Sequence, residues 1–147
     1  MILLLIFTKN TMNWKFIFKI LVAMIVFFGL AMAAALVVSL LYGDGDAPSL
    51  ALSVAVTLTF GALMFLVFRK QSTVIGTRDG FFIVTAAWVL AAGFGALPYY
   101  FERIFATDLP GFMGFLVAYT DSFFEAASGL TTTGATVLTQ IEGQPHG

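Results

Sequence analysis

"ILVAMIVFFGLAMAAALVVSLLY", residues 20–42, is an apolar stretch of 23 residues that contains no charged side chain. At a rise of about 1.5 Å per residue, a helix of this length crosses a hydrocarbon core of about 30 Å. Residues 47–68 and 80–101 form two further uncharged stretches of the same kind. We therefore predict an all-α membrane protein with three transmembrane helices.

The composition of the chain supports a lipid environment and excludes several classes of protein. Hydrophobic residues make up 60% of the 147 residues and charged residues only 10%, which lies outside the usual range of soluble domains. The absence of cysteine and the single histidine, His146, exclude a disulfide framework and a multi-histidine metal centre. Seven scattered basic residues form no patch for nucleic acid. We expect neither an enzyme nor a resident cofactor.

Charged residues between the apolar stretches indicate the orientation of the chain. Six of the seven basic residues lie before the first stretch or between the second and third: Lys9, Lys15, Lys19, Arg69, Lys70 and Arg78. The other two connections carry Asp44, Asp46, Glu102 and Asp108 against Arg103 alone. Because cytoplasmic loops carry the excess of lysine and arginine, we predict a multi-pass protein of the cell inner membrane with a cytoplasmic amino terminus.

The segment after the third stretch does not read as a fourth span. Pro110, Gly111 and Gly114 interrupt its apolar beginning. Residues 120–129, "TDSFFEAASG", fit a short helix in which Ser122 and Glu125 form a capping box and Gly129 follows the last turn. Such a helix is too short to cross the bilayer. We therefore predict a re-entrant pore helix followed by a selectivity-filter loop, with irregular backbone buried in protein or lining a water-filled cavity.

The loop itself, "TTTGAT" at residues 131–136, has the composition of a cation filter. Gly134 tolerates a positive φ, and small neighbours leave room for carbonyl oxygens to replace the hydration shell of a cation. We predict that the ion-binding residues are Thr132, Thr133, Gly134 and Ala135, supported by Thr131, Thr136, Glu125 and Asp121.

Two alternatives remain for these residues. The small residues of the segment could instead form a helix-packing interface: Ser128, Gly129, Thr131, Thr132, Gly134 and Ala135. Asp121 and Glu125, four residues apart, fit capping groups near an aqueous rim somewhat better than groups that attract ions directly.

Two stretches, "RDGFFIVTAAWVLAAGFGALPYYF" at residues 78–101 and "TDSFFEAASGLTTTGATVL" at residues 120–138, resemble the first helix and pore loop of the Trk/Ktr potassium uptake family, in particular its TrkH branch. The two preceding apolar stretches are similar to the additional amino-terminal helix pair of that branch. In this family four non-identical repeats surround one pore, and each filter loop typically carries a single glycine, which corresponds to Gly134.

The resemblance implies potassium uptake by a pore-forming subunit, with potassium as the transported substrate held at Thr132, Thr133 and Gly134. It also implies a homodimer of full-length subunits and a cytosolic nucleotide-binding regulatory subunit. Residues 1–72 correspond to the amino-terminal transmembrane helix pair, and residues 73–147 to the first helix and pore loop of an incomplete first repeat. The preference for potassium over sodium and the coupling to protons or sodium stay open.

One filter loop cannot encircle a dehydrated ion, because coordination needs a ring of oxygens. We therefore expect this chain to be an amino-terminal fragment of a transporter or a truncated gene product. The alternative function is a small membrane assembly or regulatory subunit without a transport role.

Overall fold

The computed structural model describes residues 12–43, 45–68 and 77–138. These residues form four helices: α1 (Trp14–Tyr42), α2 (Ala47–Phe68), α3 (Thr77–Phe101) and α4 (Gly111–Leu130). The described ranges contain no strand, and α1, α2 and α3 are long and apolar enough to cross a membrane. The prediction of an all-α protein with three spanning helices is confirmed. The predictions made for Lys9, Asp44, Arg69, Lys70 and His146 concern positions outside the described residues.

The first helix begins before its apolar stretch. The side chain of Asn13 accepts a hydrogen bond of 3.3 Å from the backbone N–H of Phe16 and so caps α1, an arrangement that stabilises a helix by about 1 kcal/mol. Lys15 and Lys19 consequently lie on the first two turns of α1. The helix ends at Gly43, whose φ of 74° is left-handed and whose N–H donates to the carbonyl of Ser39.

Helices α1 and α2 pack side by side through two glycines. A Cβ atom added at Gly29 would lie 2.6 Å from Leu58 Cδ2, and one added at Gly61 would lie 2.8 Å from Val26 Cγ2. Small residues at such positions let two helices approach closely, which is a common device in membrane helix packing. At the connection between the helices, the hydroxyl of Ser39 donates a 2.5 Å hydrogen bond to the carboxylate of Asp46.

Helix α3 occupies the middle of the bundle. It contacts α1, α2 and α4, whereas α4 contacts α3 alone among the described helices. Ile17 and Leu21 of α1 are buried against Ala87 of α3. The backbone N–H of Asn13 donates to Asp79 Oδ1 at 3.4 Å, so the first turns of α1 and α3 lie together at one end of the bundle.

Helix α4 docks on a face of α3 that includes small residues. An added Cβ at Gly95 would lie 3.5 Å from the Cβ of Ala126, and Ala96 is fully buried. The hydroxyl of Tyr119 donates a 2.9 Å hydrogen bond to the backbone carbonyl of Gly93. These contacts fix the position of α4, and therefore of the loop that follows it, relative to the spanning helices.

The prediction of a ten-residue helix at 120–129 was wrong in its start. Helix α4 begins at Gly111, directly after Pro110, whose extended backbone (φ −78°, ψ 152°) precedes the first turn. Gly114 does not break the helix. It lies where the carbonyl oxygen of Leu109 occupies the space that a Cβ would need. The capping box was wrong as well: Ser122 lies in mid-helix, and its hydroxyl donates to the carbonyl of Ala118 at 2.7 Å.

The outer surface of the bundle is apolar. Large side chains such as Phe27 and Leu41 are 67% and 80% exposed, and α1, α2 and α3 each bury only 22% of their most apolar window. In water, exposed apolar patches of this extent cause association. In a bilayer they face lipid, which agrees with a multi-pass membrane protein.

Candidate ion-binding loop

Helix α4 ends in a turn that reverses the chain. Leu130 is its last residue, and the backbone N–H groups of Thr131, Thr132 and Thr133 donate to the carbonyls of Ala127, Gly129 and Ser128 at 3.0, 3.2 and 3.1 Å. These bonds satisfy carbonyls that a helix end otherwise leaves without partners. The chain therefore turns back sharply at Thr131, two residues after Gly129, where the sequence had placed the end.

Residues 135–137, which we call the return limb, are held by side chains of α4. The hydroxyl of Ser128 donates to the carbonyl oxygen of Ala135 at 2.5 Å. The hydroxyl of Thr136 donates to Glu125 Oε1 at 2.8 Å, and the backbone N–H of Val137 donates to Glu125 Oε2 at 3.2 Å. Glu125 and Ser128 are three residues apart and so share one helix face. The return limb consequently runs back along this face.

The first half of the loop is held by threonine hydroxyls. The hydroxyl of Thr131 donates to the carbonyl of Ala127 at 2.8 Å and lies 2.7 Å from the hydroxyl of Thr133. Thr131 thus ties Thr133 to the last turn of α4. Both limbs of the loop are anchored to the same helix end.

Three consecutive carbonyl oxygens lie between these anchors. Within the described residues, the carbonyls of Thr132, Thr133 and Gly134 accept no hydrogen bond, and all three residues are exposed. The φ angles of Thr132 and Gly134 are +53° and +73°, whereas Thr133 between them is not left-handed. The three oxygens are therefore free to coordinate a cation.

Thr132 adopts an unfavourable backbone conformation. A β-branched residue at positive φ is a genuine outlier, and such conformations persist only where the surroundings hold them. Here the N–H bonds of Thr132 and Thr133 to α4 provide that restraint. Gly134 adopts its positive φ without this cost.

The electrostatic surroundings of the loop favour a cation. Residues 111–138 contain Asp121 and Glu125 and no basic residue. The carboxyl end of α4 adds the partial negative charge of a helix terminus next to the loop. The described residues contain no cluster of three or more His, Cys, Asp or Glu side chains that could hold a metal ion. The loop therefore offers carbonyl oxygens in a negative field, and not a side-chain metal centre.

The structure brings most of the predicted site residues together, in a different arrangement from the one expected. Glu125 contacts the return limb through Thr136 and Val137. The carboxylate of Asp121, one turn earlier, makes no hydrogen bond within the described residues. Ser128 was not predicted as a site residue, although its position three residues after Glu125 places it on the same face.

The alternative of a helix-packing interface finds no support in the described residues. Residues 131–138 lie outside the helices, and a Cβ added at Gly129 or Gly134 would meet nothing within 4 Å. Helix α4 meets α3 through small residues at Gly95 and Ala126, which lie outside the loop.

Three helices able to span a membrane, followed by a fourth helix and a loop that is bonded to the end of that helix, define a multi-pass helical membrane protein. The chain is 36% identical over 135 residues to Trk system potassium uptake protein TrkH of Halomonas elongata. The aligned residues make up 92% of this chain and 26% of that protein. It is 33% identical over 135 residues to TrkH of Escherichia coli K12, with the same coverage, and 28% identical over 140 residues to TrkI of Halomonas elongata.

Over 92% of its residues the chain is similar to these Trk system potassium uptake proteins. It spans about a quarter of the length of the curated relatives that it matches. No protein-family model matches the chain.

Proposed function

We propose that this chain is part of the pore-forming subunit of a Trk-type potassium transporter and supplies its first filter loop. Potassium is coordinated by the carbonyl oxygens of Thr132, Thr133 and Gly134, with Ala135 beside them. The observation that carries this proposal is the run of three consecutive carbonyls that accept no hydrogen bond within the described residues. Carbonyl oxygens in such a run can replace the hydration shell of a potassium ion.

A complete coordination shell needs oxygens from more than one loop. Rings of carbonyls around an axis form the filters of potassium channels, and one loop provides only one sector of such a ring. In the proposed protein the remaining sectors come from further loops of the full-length polypeptide. An anchored loop whose three carbonyls accept no hydrogen bond within the described residues favours the transporter over a non-transporting assembly subunit.

The proposed placement in the membrane follows from the charges at the two ends of the bundle. Lys15, Lys19 and Arg78 lie on the first turns of α1 and α3, which adjoin each other through Asn13 and Asp79. Asp46, Glu102 and Asp108 lie in the connections at the opposite ends of these helices. Because basic residues are in excess there, the end formed by the first turns of α1 and α3 faces the cytoplasm. The protein lies in the cell inner membrane.

In this arrangement α4 acts as a re-entrant pore helix that enters from the outer side. Residues 1–72 form the amino-terminal helix pair and residues 73–147 the first helix and pore loop of the first repeat. Thr131, Thr136 and Glu125 support the loop through hydrogen bonds, while Asp121 contributes through its negative charge. The resemblance to the family further suggests a homodimer of full-length subunits and a cytosolic nucleotide-binding regulatory subunit.

The test uses a chimera in which this chain replaces the matched segment of Escherichia coli TrkH, expressed in cells that lack potassium uptake. Gly134→Ala places a side chain on a residue at φ +73°, which costs about 1–2 kcal/mol. We expect the preference for potassium over sodium in competition uptake assays to fall about tenfold, without loss of membrane insertion.

Gly129→Ala is the matched control, because it adds the same methyl group where nothing lies within 4 Å and where φ is not left-handed. Its potassium preference should equal that of the unmodified chimera. An unchanged preference in a well-inserted Gly134→Ala protein would overturn the proposed function.

A further inference from the structure

Glu125 engages the return limb with both of its carboxylate oxygens. Oε1 accepts a hydrogen bond of 2.8 Å from the hydroxyl of Thr136, and Oε2 accepts one of 3.2 Å from the backbone N–H of Val137. The hydroxyl of Thr136 is oriented further because it accepts the N–H of Leu138 at 3.0 Å. One side chain in the carboxyl-terminal part of α4 therefore determines the position of two consecutive residues that lie eleven and twelve positions later.

The neighbouring acid on α4 differs from Glu125 in this respect. Asp121 lies one turn earlier on the same helix, and its carboxylate makes no hydrogen bond within the described residues. Both carboxylates contribute negative charge near the loop, but only Glu125 is bonded to it. Substitutions at these two residues therefore distinguish the effect of a negative charge from the effect of hydrogen bonds to the return limb.

We propose that Glu125 is a positioning residue for ion discrimination, and that it acts through its two hydrogen bonds and not through its charge. The proposal rests on the proposed function, because it concerns the spacing of the same carbonyl oxygens. The return limb begins directly after Gly134, so its attachment to Glu125 fixes one end of the segment that carries the three carbonyls. Release of this end lets the oxygens move toward a smaller cation such as sodium.

Glutamine is the conservative replacement that tests this distinction. In Glu125→Gln the amide oxygen accepts the N–H of Val137, and the amide nitrogen donates to the Thr136 hydroxyl, whose oxygen accepts in place of donating. Both contacts are kept while the charge is lost. Glu125→Ala removes both contacts together with the charge.

In the TrkH chimera we expect Glu125→Ala to lower the preference for potassium over sodium about tenfold, the scale of a lost hydrogen bond to a charged group. Glu125→Gln should retain the preference within about threefold, a change of the size expected when the bonds lose their charge assistance. Asp121→Asn, which removes a charge but no side-chain hydrogen bond within the described residues, should lower it less than Glu125→Ala does. Equal losses in Glu125→Gln and Glu125→Ala would show that the charge is what matters and overturn the proposal, as would an unaltered preference in Glu125→Ala.

A second measurement uses the 147-residue chain itself, reconstituted in lipid nanodiscs. We expect the amide hydrogen of Val137 to exchange about tenfold faster in Glu125→Ala than in the unmodified chain or in Glu125→Gln. Unchanged exchange in Glu125→Ala would overturn the contact on which the proposal depends. If Val137 responds as expected but Gly134→Ala keeps its potassium preference in the chimera, the proposed function fails and the attachment of the return limb stands.

Discussion

The hydroxyl of Ser128 donates a hydrogen bond of 2.5 Å to the carbonyl oxygen of Ala135, seven residues further along the chain. Ser128 is almost completely buried and lies in the last turn of α4. The bond directs the carbonyl of Ala135 toward the helix, whereas the three preceding carbonyls accept no hydrogen bond within the described residues. Ser128 thereby marks the boundary between the coordinating part of the loop and its support.

Ser128→Ala should weaken the attachment of the return limb to α4. Loss of the bond leaves the Ala135 carbonyl without its partner and costs about 1 kcal/mol. We expect the KM for potassium uptake by the TrkH chimera to rise about fivefold, the factor that corresponds to this energy. Ser122→Ala is the matched control, since Ser122 is equally buried on α4 and bonds only to the backbone of its own helix. A KM that rises equally in both variants would contradict the assigned role of Ser128.

Tyr119→Phe tests the docking of α4 on α3. The substitution removes the 2.9 Å hydrogen bond to the Gly93 carbonyl but retains the ring, which stacks on Phe115 at a centroid distance of 5.7 Å. We expect the free energy of unfolding of the purified chain in detergent to fall by about 1 kcal/mol. Tyr100→Phe should leave it unchanged, because the Tyr100 hydroxyl makes no hydrogen bond within the described residues.

Gly114→Ala should displace the start of α4. A Cβ at this position overlaps the carbonyl oxygen of Leu109, so backbone must move, and overpacking of this kind costs about 1–3 kcal/mol. Thermal unfolding of the purified chain measures the loss. Gly80→Ala provides the comparison, since a Cβ there meets nothing within 4 Å; its stability should be equal to or higher than that of the unmodified chain.

The orientation of the chain can be tested by cysteine labelling, because the protein has no cysteine of its own. Lys15 and Asp108 are exposed and lie at opposite ends of the bundle. In intact spheroplasts a membrane-impermeant thiol reagent should label Asp108→Cys and not Lys15→Cys. The reverse pattern would show that the amino terminus lies outside.

Several features of the fold were predictable from local sequence. Residues 47–68 were predicted as a span and form α2 with the same bounds. The left-handed conformation of Gly134 was predicted from the residue type and is found at φ +73°. The early start of α1 was missed, although Asn13 is a typical helix cap, because the prediction followed apolar residues alone.

The start of α4 could not be predicted from local sequence. Gly111 and Gly114 predicted an interruption, but the extended Pro110 and the Leu109 carbonyl packed over Gly114 let the helix begin ten residues before Asp121. Ser122 and Glu125 have the spacing of a capping box, and that spacing is the same whether the residues lie at a helix start or in its middle.

The sequence by itself determined that the chain lies in a membrane, how many helices span it and which segment forms the loop. Hydropathy and glycine conformation are properties of short stretches of chain. Only the tertiary structure decided that Glu125 bonds the return limb and that Ser128 holds Ala135. It also decided that the carbonyls of Thr132, Thr133 and Gly134 accept no hydrogen bond from the part of the chain that the structure describes. These relationships join residues seven to twelve positions apart. They exist because the chain reverses at Thr131 and returns along the face of α4 that it has just left.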